Sequence, residues 1–161
     1  MENNFYEKGL KFECRRCSYC CGNGPGFVYL SKVDLLNLCR FFKLKSKDFE
    51  EKFCRWVEYY EGKTVLALIE TKKLECVLWN NGCTAYEGRP VQCRTWPFWD
   101  WMVAEKSSWD ECAKDCPGMN YGKLHLREEI SQAASEYKNN IPIQLDQWKE
   151  ISAAIDSLLP A

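Results

Sequence analysis

Four cysteines within eight residues, Cys14-x-x-Cys17-x-x-Cys20-Cys21, constrain this chain more than any other feature of it. A Cys-x-x-Cys turn lets two sulfurs meet at one ion while nearby backbone N–H groups point at them. Three sulfurs at successive two-residue gaps match the spacing that wraps a cubane iron–sulfur cluster. Side chains of consecutive residues in an extended segment point to opposite sides, so Cys20 and Cys21 do not easily serve one compact site. Two metals or a polynuclear cluster is the natural inference. Core filling is a poor account of the segment, because the flanking Arg15, Arg16, Gly22 and Asn23 are not core residues.

Seven further cysteines bring the total to eleven in 161 residues. Disulfides, metal ligation and plain burial are the available uses. The opening, Met1 to Phe5, carries no basic region and no apolar run, which predicts no secretory signal and a cytoplasmic chain. Thiols stay reduced there, and an odd count would leave one unpaired, so disulfides are disfavoured. Cys76, Cys83, Cys93 and Cys116 are placed to close a site begun at residue 14, and metal binding would then be part of folding. Cys112 stands one helical turn before Cys116 and is either a further ligand or a spare thiol. Cys39 and Cys54 fall on apolar helix faces and read as small core residues. His125, the one histidine, reads as packing rather than ligation.

The chain is long enough for one compact domain, and its charges are evenly spread. A net charge of -1 gives no broad basic surface, so nucleic acid is not indicated. Val65 to Ile69 is the longest apolar stretch, too short to cross a membrane. Residues 12–26, rich in cysteine and glycine, read as loop. Ser31 and Asp34 form a capping box, with Leu30 and Leu35 as its staple, for a helix to about Leu44. A second helix starts at Ser46, presents Phe49, Phe53 and Trp56, and ends at Gly62. Thr64–Glu70 and Lys73–Trp79 read as a hairpin, and Asn80-Asn81-Gly82 as a turn. Arg89-Pro90 starts a short helix that Trp96-Pro97 stops, and a further short helix runs from Ser107 to Pro117-Gly118. Two amphipathic helices finish the chain, one through Ile130 and Tyr137, the other through Leu145 and Ile155. The expectation is a small α+β fold: a metal-binding domain at 10–125, several short helices and a β-hairpin gathered on a cysteine–metal site, under a helical pair at 126–161.

With those residues in place, the chain resembles the YkgJ-type cysteine-cluster (CxxCxxCC) family, described as zinc- or iron-chelating proteins. The resemblance rests on Phe12-Glu-Cys14-x-x-Cys17-x-x-Cys20-Cys21, on Leu30-Ser31-x-x-Asp34-Leu35, on the Cys76 strand and on Cys83-Thr-Ala-Tyr86-Glu-Gly-Arg89-Pro90-Val-Gln-Cys93-Arg94. Trp96-Pro97-Phe98 and Cys116-Pro117-Gly118 complete it. It implies eight ligands: Cys14, Cys17, Cys20, Cys21, Cys76, Cys83, Cys93 and Cys116. Ser18-Tyr19 stands where many members carry a glycine-containing spacer.

Three functions follow from this pattern. An iron–sulfur protein with a redox or electron-transfer role fits the ligand spacing. A structural zinc protein with two all-thiolate sites, serving as an interaction or adaptor module for a protein partner, fits the number of thiols. An enzyme acting through an exposed cluster is the third, although no phosphate-cradling loop, nucleophile elbow or zinc-protease helix accompanies the cysteines. Arg15, Arg16, Arg89 and Arg94 flank ligand positions and suit a site left negative by its thiolates. Trp96, Phe98, Trp99 and Trp101 read either as core or as an apolar shield over metal.

Overall fold

The computed structural model describes residues 4–22 and 26–161, and at Cys21 and Gly22 the backbone alone. The fold is α+β, with small antiparallel sheets among short helices. Strand β1 (Leu10–Phe12) leads through the cysteine loop into the one-turn helix α1 (Tyr19–Gly22). Both lie inside or beside the segment expected to be loop throughout. Helix α2 (Lys32–Phe42) begins where its capping box requires: the Asp34 N–H donates to Ser31 Oγ at 3.2 Å, and the Ser31 N–H donates to Asp34 Oδ2 at 3.0 Å.

The next stretch departs from expectation. Helix α3 (Ser46–Phe53) stops well before Gly62, and the chain turns directly into β2 (Cys54–Glu58), so Trp56 lies on a strand. Trp56 and Val57 favour the pleated form, and each pairs with an apolar partner on β3 (Thr64–Leu68): Trp56 with Leu66, Val57 with Val65. The hairpin is therefore β2–β3. Lys73–Trp79 does not form the second strand; it is a series of turns with two isolated antiparallel bridges, Glu70 to Cys76 and Trp79 to Cys83. Leu74 there adopts φ +61°, which a strand excludes. On its other edge β3 is held by the Leu30–Leu66 and Ile143–Leu66 backbone hydrogen bonds.

Helix α4 (Val91–Arg94) and helix α5 (Lys106–Ala113) follow as short pieces. Beyond Pro117-Gly118 lies an unexpected strand, β4 (Met119–His125), antiparallel to β1 with Leu10 opposite His125 and Phe12 opposite Met119. Helices α6 (Arg127–Lys138) and α7 (Trp148–Leu158) end the chain; α7 packs on α2 and α3, and α6 on α4. No helix among the described residues is long and apolar enough to cross a membrane.

Two apolar cores result. The first gathers Leu30, Leu35, Leu38, Phe49, Leu66 and Ile151, with Cys39 and Cys54 buried among them. The second gathers Phe98, Met102, Trp109, Met119 and Ile130. Cys39 and Cys54 thus pack as the helix and strand faces demand. Burial pushes the Cys39 thiol up to about 12 and raises that of Cys54 as well, so both stay neutral.

Candidate metal centre

The cysteine loop lies between the two cores. At its start, the Glu13 N–H donates to the Gly118 carbonyl at 3.2 Å. A Cβ at Gly118 would stand 2.3 Å from the Glu13 carbonyl oxygen, so only glycine permits this approach, and it brings Cys14 beside the Cys116 turn. Arg16 and Ser18 both adopt left-handed φ, +51° and +64°. Ser18 thus occupies a position at which glycine would be unstrained. The Arg16 N–H lies 3.4 Å from Cys14 Sγ and donates to it.

A related arrangement recurs at two distant cysteines: the Leu78 backbone N–H works to lower the Cys76 thiol and the Ala85 backbone N–H that of Cys83, each from two residues beyond. Burial outweighs both and leaves the two thiols raised. Cys76 and Cys83 bracket a turn held by the Trp79–Cys83 bridge and by the Thr84 N–H donating to the Leu78 carbonyl at 2.8 Å.

Cys93 reaches this turn from α4. Burial raises its thiol well above the ordinary range, and the charges of Cys76, Cys20 and Cys83 raise it further. Burial is also the first cause at Cys76 and at Cys83, and Cys20 acts on both. Four thiols from four separate stretches of chain are therefore close enough to feel one another's charge. A cavity of about 250 Å³ opens beside them, lined in part by Cys20, Cys76, Gln92 and Trp99. On the second core, Cys116 is buried and Cys112 packs half-buried nearby, its thiol raised first by burial and then by Glu111, Asp115 and Cys116. Cys14, Cys17 and Cys20 are exposed, and the Cys21 side chain lies outside the described residues. Among the described residues no three histidine, cysteine, aspartate or glutamate side chains converge tightly enough to hold an ion in this structure.

The donor set nevertheless fits a soft metal. It is all sulfur, the donor type that soft metals select. The buried Trp79 Nε1, on the turn between Cys76 and Cys83, has no acceptor among the described residues. Cations stand close by: the Arg16 and Arg89 guanidinium carbons both lie 4.0 Å from the Tyr86 ring centroid, and the Arg89 charge favours the Cys83 thiolate. Arg15 lies over Tyr121 at 5.6 Å, whereas Arg94 pairs with Glu136 on α6. The aromatic segment divides. Phe98 is core, Trp99 lines the cavity and stacks on Tyr137, and Trp101 is half exposed. His125 packs on Phe98, and its Nε2 lies 3.0 Å from the Phe12 carbonyl oxygen.

Asp34 is the residue whose part in the site the sequence reading missed. Beyond its capping role, its Oδ1 accepts from the Val91 N–H at 2.9 Å and its Oδ2 from Asn140 Nδ2 at 2.9 Å. It is 2% exposed, and it ties the first turn of the Cys93 helix to α2. The signal was present only as an acidic residue on an otherwise apolar helix face.

The model of the CxxCxxCC family, described as a "putative zinc- or iron-chelating domain", matches residues 13–117. The chain belongs to the CxxCxxCC family. This member's matched span begins one residue before Cys14 and ends one residue after Cys116, so it encloses all the candidate ligands. It is a metal-binding domain by membership, with zinc or iron as its metal. The chain is also similar to an uncharacterized protein of Methanocaldococcus jannaschii, 27% identical over 150 residues. That alignment covers 89% of this chain and 48% of the relative, so the chain spans about half the relative's length. No solved structure matches the chain.

Proposed function

We propose that this chain is an iron–sulfur protein with a redox or electron-transfer role, its metal held by thiolates drawn from Cys14, Cys17, Cys20, Cys21, Cys76, Cys83, Cys93 and Cys116. The observation that carries the reading is the Cys-x-x-Cys-x-x-Cys loop with the Arg16 N–H donating to Cys14 Sγ. N–H groups aimed at sulfur set the reduction potential of such clusters, because they stabilise the more negative, reduced state. An iron–sulfur cluster would supply a one-electron couple. The chain's own part is to neutralise charge through Arg16 and Arg89 and to limit water through Phe27, Val28 and Trp99 at the cavity wall. Protein purified without oxygen is expected to be brown, with iron and acid-labile sulfide in comparable amounts. A colourless preparation, free of iron yet carrying full zinc, sinks this reading.

A structural zinc protein is the second reading, favoured by the grouping of Cys20, Cys76, Cys83 and Cys93, a number that suits one closed tetrahedral site. In that case the protein would serve as an interaction module for a protein partner. About two zinc ions per chain and unfolding on chelation are its expected signature. Stable folding after all metal has been stripped would reject it.

A further inference from the structure

Among the described residues one buried side-chain polar atom has no hydrogen-bond partner, Trp79 Nε1. An indole N–H can only donate, so nothing but an acceptor relieves it. Leaving such a donor buried and unpaired is unfavourable, and folded chains rarely tolerate it unless the group has a further use. Trp79 stands between two candidate ligands. Its backbone N–H donates to the Cys76 carbonyl at 2.9 Å, and it forms an antiparallel bridge with Cys83. The bonds flanking that bridge run from the Thr84 N–H to the Leu78 carbonyl and from the Asn80 N–H to the Gly82 carbonyl, each 2.8 Å. Trp79 and Cys83 are therefore the non-hydrogen-bonded kind of antiparallel pair. In such a pair the Cα atoms come closest and the two side chains leave the same face next to one another. The turn that joins them holds the register, with Asn81 at φ +54° and Gly82 at φ +130°.

We propose that Trp79 is a positioning residue of the metal centre, its indole N–H donating to Cys83 Sγ when that sulfur is a metal-bound thiolate. The proposal rests on the metal-binding reading and requires Cys83 as a ligand, not any grouping of the other thiols. A thiolate carries a charge that a thiol lacks, and charge makes it the stronger acceptor. Metal displaces the thiol proton, so the bond forms as the ion binds. Trp79 then satisfies its N–H only in the loaded protein, and loading removes the penalty of the unpaired donor. The bond also holds the Cys83 sulfur toward the ion, as outer partners of metal ligands do. At Cys14 the donor is a backbone group, the Arg16 N–H at 3.4 Å. At Cys83 it is a side chain across the turn, which substitution can remove without altering the backbone.

The test uses the full chain with nitrogen-15 in its indole rings, stripped of metal and reloaded in parallel with zinc, with cadmium-113 and with spinless cadmium. The seven tryptophans give separate indole N–H signals in the NMR spectrum. Trp79→Phe keeps an aromatic ring, deletes the donor and so identifies the Trp79 signal. Should that variant fail to fold, cross-relaxation to the backbone amides of residues 78–80 identifies the signal in the wild type. On loading, the Trp79 N–H signal is expected to move downfield. It should also couple to the same cadmium-113 nucleus as the Cys83 β-protons, and lose that coupling with spinless cadmium. Folded Trp79→Phe is expected to bind zinc about 10-fold more weakly in competition with a chelator. A Trp79 signal that stays in place while metal binds in full overturns the proposal and leaves the metal-binding reading standing. So does a signal that moves without coupling to the Cys83-bound nucleus. A wild type that takes up neither zinc nor cadmium refutes the metal-binding reading itself, and the proposal with it.

Discussion

Replacing Asp34 with asparagine is expected to damage both stability and metal affinity, by more than the loss of a helix cap explains. The carboxylate is buried and accepts from the Ser31 N–H, the Val91 N–H and Asn140 Nδ2. Hydrogen bonds to a charged group contribute about 1.5–3 kcal/mol each, and a buried donor left unpaired costs about 1–3 kcal/mol. An amide keeps one oxygen and turns its NH2 toward donors, so one or two of these bonds fail. The expected loss is roughly 2–4 kcal/mol, against a total stability on the order of 5–15 kcal/mol. Ser31→Ala is the internal reference. It removes only the Oγ acceptor used by the Asp34 N–H, worth about 1 kcal/mol. Urea denaturation of the metal-loaded protein measures both variants. A chelator competition then measures affinity, which should fall about 10–100-fold in Asp34→Asn because the Cys93 helix loses its anchor. If Asp34→Asn costs no more than Ser31→Ala and leaves affinity intact, the tie between α2 and the site is wrong.

Gly118→Ala places a Cβ 2.3 Å from the Glu13 carbonyl oxygen and should destabilise by about 1–3 kcal/mol and lower the metal content; unchanged metal content and urea midpoint would contradict it. Cys39 stays protonated in the fold up to about 12 but titrates near 9 when unfolded, so its contribution is complete below pH 9 and disappears as pH rises toward 12. Urea midpoints should fall across that window, less steeply in Cys39→Ala, and an unchanged slope would remove Cys39 as a cause.

Legibility followed the range of the forces involved. The Ser31–Asp34 box, the apolar face of α2 and the turn at Asn81, with φ +54°, are local and were readable. The hairpin was assigned to the wrong pair because Thr64–Leu68 shows only that a strand exists; its partner was decided by Trp56 and Val57, which a helical pattern through Phe49 and Phe53 had claimed. Strand β4 escaped because Asn120, Tyr121 and Lys123 are exposed, leaving no alternation to read. The cysteine spacing pointed to thiols from separate stretches serving metal. Which thiols neighbour which depends on Gly118 and on Asp34, both of which make contacts across long stretches of chain. No local pattern encodes those.

The pairing of β1 with β4 has a consequence for how the protein is made. Residues 10–12 find their partner only at 119–125, so the loop bearing Cys14 to Cys21 lacks its anchor until the ribosome has passed His125. Closing so long a loop costs entropy before any contact rewards it. During that interval the nascent chain exposes several thiols with nothing to hold them in register. If Cys116 serves the metal as proposed, its capture of an ion is a late event of synthesis, and those sulfurs must stay reduced until it happens.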